Sequence, residues 1–87
     1  MYIHLGNNIM LPTNEIIGIF DLENTSVSKR TRDFLKKAET AGRVITVSYD
    51  LPRSFVVAGK NKDDIKVYIS QISSSTLLKR TGYIDSL

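Results

Sequence analysis

The alternation of hydrophobic and polar residues divides the chain into short strands and two helices. A first hairpin is predicted, with strands at 2–5 and 9–11 flanking the turn-forming residues Gly6-Asn7-Asn8. The next segment, 15–21, is apolar at both alternating positions, which is typical of a strand covered on both faces. Gly18 in its middle indicates a β-bulge or a close approach by a neighbouring backbone.

A helix of about four turns is predicted between N-cap candidates at 24–26 and a C-terminal cap at Gly42. Its less polar positions fall within one arc of ~120°; they are Val27, Thr31, Phe34, Leu35, Ala38 and Ala41. The other positions carry five basic and two acidic residues, namely Lys29, Arg30, Arg32, Lys36, Lys37, Asp33 and Glu39. One face is therefore expected to pack on a sheet, and the other to form a locally basic surface.

Three more strands are predicted in the second half of the chain. Segment 43–49 alternates, with Tyr49 on its apolar side, and 54–58 is expected to be its hairpin partner, with Arg53 at the tip of the connection. Segment 65–70 has the pattern of a half-exposed strand. Ser73-Ser74-Ser75 supplies N-caps for a last short helix through Arg80, ended by Gly82.

The predicted order is β-β-β-α-β-β-β-α, an α+β fold with a mostly antiparallel sheet, one amphipathic helix and a short C-terminal helix. Residues 1–87 are expected to form one domain, with 81–87 as a loosely held tail. One helix cannot cover all the apolar strand surface, so a second sheet face is expected to meet another subunit. The strand residues concerned are Ile16, Phe20, Val56 and Tyr68.

Composition narrows the class of protein further. The 87 residues include no Cys, which excludes a disulfide, a zinc-thiolate site and a cysteine nucleophile. Apolar runs are far shorter than the ~20 residues that span a bilayer, and no export signal is recognisable, so a cytoplasmic protein without membrane contact is expected. The formal charge of +3 permits an anionic partner without requiring one.

No pattern indicates catalysis, a cofactor or a metal site. His4 is the only imidazole, and no Ser or Asp stands at a recognisable triad spacing from it. Asp63-Asp64 lacks the ligand count that a hard cation needs and is interpreted as a solvated turn. The glycines form neither a dinucleotide fingerprint nor a P-loop. A non-enzymatic protein is expected. The alternative hypothesis of a small-molecule-sensing or enzymatic domain would need the support of a deep polar pocket.

The basic residues are the remaining candidates for function. Cations on the outer face of a helix most often serve solubility alone. Arginines at loop tips can reach phosphates, and a symmetric oligomer repeats such contacts. The candidate DNA-binding residues are Arg53, Lys29, Arg32, Lys36 and Arg80.

Five blocks in order resemble the RemA/RemB family of small bacterial extracellular-matrix regulators, over nearly the whole chain. They are MYIHLG (1–6), IIGIFD (16–21), FLKK (34–37), the P-x-S-x-V-V pattern from Pro52 to Val57, and SSSTLLKR (73–80). The resemblance implies a transcriptional regulator of biofilm matrix genes that binds DNA, here AT-rich promoter DNA, and acts as a homo-oligomer, ring-shaped in part of the family.

The family pattern carries over only in part. Gly42 and Tyr49 keep the spacing that precedes an arginine pair in RemA-type chains, but Leu51 and Pro52 occupy the positions of that pair. Glu15 stands where such chains have an arginine, whereas Thr76 and Arg80 match the C-terminal segment. Two hypotheses follow: an oligomeric DNA-binding regulator, or an interaction protein that assembles with itself or a RemA-like partner and has no DNA affinity of its own.

Overall fold

The computed structural model describes residues 1–23 and 28–81 and has the predicted order of elements. The elements are β1 (Tyr2–Gly6), β2 (Ile9–Pro12), β3 (Ile16–Asp21), α1 (Lys29–Thr40), β4 (Val44–Thr46), β5 (Ser54–Ala58), β6 (Lys66–Ser70) and α2 (Ser74–Arg80). Single 3-10 turns, Thr13–Glu15 and Lys62–Asp64, precede β3 and β6. The α+β class with mostly antiparallel pairing is confirmed.

Two sheets are present in the described part of the chain. Strands β1 and β2 form an antiparallel hairpin, and the other four form a sheet in the order β3-β5-β6-β4. Strand β5 is antiparallel to both of its neighbours, whereas β4 is parallel to β6. Strands β4 and β6 run in the same direction because the chain reverses twice between them, once before β5 and once after it.

Strand β5 lies in the middle of the core. All five of its residues are buried, so both faces of the strand are covered. On one face, Val56 and Ala58 belong to a cluster shared with the β1–β2 hairpin and α2; its other buried members are Ile3, Leu5, Leu11, Val47 and Leu77. On the opposite face, Phe55 and Val57 pack with Ala38 of α1 and Val67. The molecule therefore has three layers, with the four-stranded sheet between the hairpin with α2 and the helix α1.

A buried hydroxyl group joins the hairpin layer to the sheet. The turn between β1 and β2 has positive φ angles at Gly6, Asn7 and Asn8, as residues of these types favour, and the predicted hairpin is confirmed. The fully buried Ser70 Oγ donates a hydrogen bond to the Leu5 carbonyl at 2.9 Å. Hydrogen bonds as well as apolar contacts therefore hold the hairpin on the sheet.

Local capping fixes both helices. The side chain of Ser28 accepts a hydrogen bond from the Thr31 amide and is the N-cap of α1, so the helix begins at Lys29. The N-cap candidates at 24–26, and Val27, lie outside the described residues. Gly42 follows the helix with φ +73°, which confirms the predicted C-terminal signal.

Helix α2 begins as predicted after the serine cluster. The Ser73 side chain accepts from the Thr76 amide and caps the helix. Thr81 is the C-terminal cap, with its amide donating to the Leu77 and Leu78 carbonyls. Thr81 is thus the one described residue of the predicted tail, and 82–87 lie outside the described residues.

The predicted hairpin between segments 43–49 and 54–58 is wrong. Strand β4 ends at Thr46 and pairs with β6, while β5 pairs with β3 and β6. A strand as apolar as β5 is most stable with a neighbour on each side, and β3 and β6 take those positions. Residues 47–53 instead form a connection from the sheet edge to its centre, which we call the Leu51 loop.

A bulge in β3 changes which side chains share a face. The register with β5 shifts between Ile16 and Gly18, as the glycine predicted, so Ile16 and Ile19 both pack on the hairpin side. Ile17 and Phe20 therefore face the α1 side, where they are 61% and 46% exposed. The prediction that this strand is covered on both faces is wrong, because β3 is an edge strand and α1 contacts β4 and β6.

The expectation of an open second sheet face is also wrong. Ile16, Val56 and Tyr68 pack against the hairpin and α2 of the same chain. Strand β6 is likewise not half-exposed, because β1 lies over Ser70. Of the apolar strand residues expected to need another subunit, Phe20 alone is exposed.

Candidate nucleic-acid interface

Helix α1 presents a basic surface to solvent. Lys29, Arg32 and Lys36 recur at intervals of three and four residues, which places them within about 60° of one another around the helix axis. All three are exposed, as are Arg30 and Lys37. Within the described part of the chain, none of these cations has an acidic partner within ion-pair distance. Their full charge is therefore available to an anion in solution.

Arg53 is held in a different setting from the predicted hairpin tip. It directly precedes β5, where its amide donates to the Ser70 carbonyl and its carbonyl accepts from the Leu22 amide, both at 2.9 Å. Its guanidinium donates two hydrogen bonds to the Glu23 carboxylate in a bidentate arrangement, with Nε 3.0 Å from Oε1 and Nη2 3.3 Å from Oε2. Much of the Arg53 charge is therefore balanced within the chain.

Arg80 lies on the other side of the sheet from α1. It ends α2, and its Nη1 donates to the His4 carbonyl of β1 at 2.9 Å. This contact fixes the C-terminal helix to the hairpin and leaves the side chain exposed. His4 takes part here through its backbone.

The five predicted DNA-binding residues thus fall into three places. Lys29, Arg32 and Lys36 share one surface of α1, whereas Arg53 lies at an end of the sheet and Arg80 in the hairpin layer. Their assignment to DNA binding stays a prediction. Glu23 was not identified from the sequence, and only the pairing of β3 with β5 brings it to Arg53.

The Leu51 loop is the most exposed apolar segment among the described residues. Tyr49 is 97% exposed and Leu51 is 83% exposed, so the prediction that Tyr49 shares the inner side of a strand is wrong. The base of the loop is nevertheless held, because the Asn7 side-chain amide donates to the Val47 carbonyl and Ser48 Oγ donates to Gln71 Oε1 at 2.9 Å. The loop therefore has a held base and a projecting apolar tip.

Within the described part of the chain, no three His, Asp or Glu side chains come together as a metal site would need. Asp63 and Asp64 lie in the exposed 3-10 turn that Asn61 caps. None of the helices in the described ranges is both long and apolar enough to span a bilayer.

Fold and surface together define a small three-layered α+β protein with exposed cations on one helix and an apolar loop at one end of its sheet. A family model described as extracellular matrix regulatory protein A-like, RemA-like, matches residues 2–81. Extracellular matrix regulatory protein B of Bacillus subtilis (strain 168) is 38% identical over 84 residues, which are 97% of this chain and 94% of that protein. The chain belongs to the RemA-like family of extracellular matrix regulatory proteins, and the resemblance seen in the five sequence blocks is confirmed.

Proposed function

We propose that this protein is a non-enzymatic, DNA-binding transcriptional regulator of extracellular-matrix genes that acts in the cytoplasm as a homo-oligomer. The observation that carries the proposal is the family match over residues 2–81, since the family is one of matrix regulators. The exposed cations of α1 support it, since they can make the electrostatic contact that such a role requires.

Helix α1, rather than Arg53, is the main phosphate-binding surface in this proposal. Lys29, Arg32 and Lys36 project from one side of a regular helix and have no competing carboxylate within ion-pair distance among the described residues. Arg53 must share its guanidinium with Glu23, so a phosphate there would compete with an existing contact. Arg80 adds a cation on another face, where it serves DNA only if the duplex or a further protomer reaches the hairpin layer.

The test is a fluorescence-anisotropy titration of AT-rich promoter DNA across about 50 to 200 mM salt. Lys36→Gln is expected to weaken binding uniformly across sequences and to reduce the salt slope by about 1, because one phosphate contact is lost. The matched control is Lys66→Gln, which removes the same charge from an exposed lysine on the hairpin side of the sheet. Its affinity is expected to stay at the wild-type value.

Two results would count against this proposal. Absence of binding even at the lowest salt would remove DNA as a direct partner. Equal losses in Lys36→Gln and Lys66→Gln would show that only the total charge matters and that α1 is not the contact surface.

The alternative function is an interaction protein that assembles with itself or with a RemA-like partner and has no DNA affinity of its own. The observation that favours it is the projecting Leu51 loop, in which Leu51 and Pro52 replace an arginine pair and Arg53 is paired with Glu23. Size-exclusion chromatography with light scattering, with and without such a partner, separates the two functions. A monomer that binds neither DNA nor the partner contradicts both.

A further inference from the structure

The tip of the Leu51 loop exposes two large apolar side chains to solvent. Tyr49 and Leu51 project from either side of Asp50 and are nearly fully exposed. Removing apolar side chains of this size from water lowers the free energy, so a projecting pair of them is a candidate contact surface. Because Ser48 also accepts a hydrogen bond from the Asp50 amide at 3.2 Å, the tip is held in place before any contact forms.

An apolar groove of matching character lies on the α1 side of the sheet. We call it the Phe20 groove; it is lined by Ile17, Phe20, Arg30, Thr31, Phe34, Phe55 and Val57. Phe20 stacks on Phe55 with ring centroids 4.8 Å apart, and Phe34 on the helix side is itself 42% exposed. The groove is open to solvent and offers about 350 Å³. A cavity of ~150 Å³ already holds a benzene molecule, so there is room for the Leu51 side chain.

The charges on the two surfaces are complementary. Arg30 lines the groove and Asp50 lies between the two apolar residues of the loop tip. Among the described residues, neither the Arg30 guanidinium nor the Asp50 carboxylate has a hydrogen-bond or ion-pair partner. The apolar tip with one negative charge and the apolar groove with one positive charge at its side are therefore complementary.

We propose that the Leu51 loop of one protomer inserts into the Phe20 groove of a second copy of this chain, with Asp50 paired to Arg30. The inference rests on the homo-oligomer of the proposed function and assigns its contact. Loop and groove are different surfaces of the same chain, so each copy gives one loop and receives another. Such a head-to-tail contact produces a closed ring or an open chain, according to the rotation between copies.

The absence of cysteine from the chain allows a direct test by cross-linking. Leu51→Cys and Ile17→Cys are prepared as separate full-length proteins, mixed and oxidised, and the products are identified by mass spectrometry. A disulfide between the two variants is expected, because the proposed contact places residue 51 against residue 17 of the groove lining and a disulfide forms only between residues whose Cα atoms come within ~4.4–6.8 Å. The matched control is Leu51→Cys mixed with Lys66→Cys, an exposed position on the hairpin side of the sheet.

A second apolar groove near the C-terminus of α1 provides a competing location. It is lined in part by Ala41, Arg43 and Ile65. Preferential linkage of Leu51→Cys to Ala41→Cys, or linkage to Lys66→Cys as efficient as to Ile17→Cys, would overturn the proposed contact.

Charge reversal tests the Asp50–Arg30 pair independently. Asp50→Arg and Arg30→Asp are each expected to weaken self-association about tenfold in light scattering, and the double variant is expected to recover most of it. Circular dichroism confirms that each variant is folded. If the double variant self-associates as weakly as the single variants do, the two residues do not contact each other.

The outcomes separate this inference from the function on which it rests. If the protein is an oligomer that binds DNA but the Leu51→Cys and Ile17→Cys proteins do not link, the proposed function stands and the loop contact is wrong. If the protein is a monomer at every concentration, both the oligomer and the loop contact are wrong, while DNA binding is judged by its own titration.

Discussion

Tyr68 is the described residue whose acidity the fold changes most clearly. Burial on the hairpin side of the sheet raises the pKa of its hydroxyl above the ordinary value of 10.0, and the carboxylates of Asp64 and Glu15 raise it further. The folded chain therefore keeps the Tyr68 proton to higher pH than the unfolded chain. Below pH 10.0 both states are protonated, and above it the unfolded state ionises first, so the free energy of unfolding falls as pH rises.

Tyr68→Phe is expected to make this alkaline loss of stability less steep, because it removes the proton that the folded state holds. Urea unfolding between about pH 8 and pH 11 measures the slope. Tyr49→Phe is the control, since that hydroxyl belongs to an exposed loop tip. Identical slopes in the two variants would mean that the environment of Tyr68 does not affect its ionisation.

Arg53 shows what residue-level reasoning from the sequence can and cannot supply. Its place beside turn-forming residues singled it out as a candidate contact. Its partner Glu23 lies 30 residues earlier in the chain, and no local pattern connects the two. They meet because Glu23 follows the end of β3 and Arg53 precedes the start of β5, two strands that pair antiparallel. The charge of this candidate could therefore be judged only once the strand pairing was known.

At the scale of elements, strong local signals were sufficient. The glycine and asparagine turn predicted the first hairpin, Gly42 predicted the end of α1, and the serine cluster predicted the start of α2. Strand pairing is decided by competition among distant segments, and there the sequence pattern failed. Segment 43–49 looked like the hairpin partner of 54–58, but its last residues became the Leu51 loop because β5 pairs with β3 and β6 instead.

The attachment of the hairpin layer to the sheet can be tested at Ser70. Its hydroxyl donates to the Leu5 carbonyl at 2.9 Å and accepts from the Ile72 amide at 3.0 Å. Ser70→Ala leaves both groups without this partner and is expected to lower the free energy of unfolding by about 1–3 kcal/mol. The control, Ser75→Ala, alters an exposed serine in the first turn of α2 and is expected to change it by less than about 0.5 kcal/mol. Equal effects in urea unfolding would show that the buried hydroxyl contributes nothing specific.

At the scale of the whole molecule, the charge of one protomer is modest. A chain of 87 residues with a net charge of +3 can neutralise few phosphates, so strong binding to DNA requires several copies acting together.

Leu51→Asp leaves the cations of α1 in place but is expected to convert the proposed oligomer to monomers. The slope of log affinity against log salt should then become shallower than in the wild type, as anisotropy at several salt concentrations would measure. An unchanged slope in a variant that light scattering shows to be monomeric would mean that one copy makes all the phosphate contacts.

The β1–β2 hairpin is covered by residues that come much later in the chain. The hairpin can therefore take its place in the fold only after those residues have been synthesised. The Leu5 carbonyl meets Ser70 across 65 residues, and the His4 carbonyl meets Arg80 across 76. Folds dominated by such distant pairings are slow, because the chain must close large loops before the contacts stabilise it. During synthesis at about 5 to 20 residues per second, the hairpin therefore waits roughly 3 to 13 s before Ser70 follows Leu5 out of the ribosome. Throughout that interval the apolar residues of the hairpin lack the later strands and helix that bury them in the folded protein.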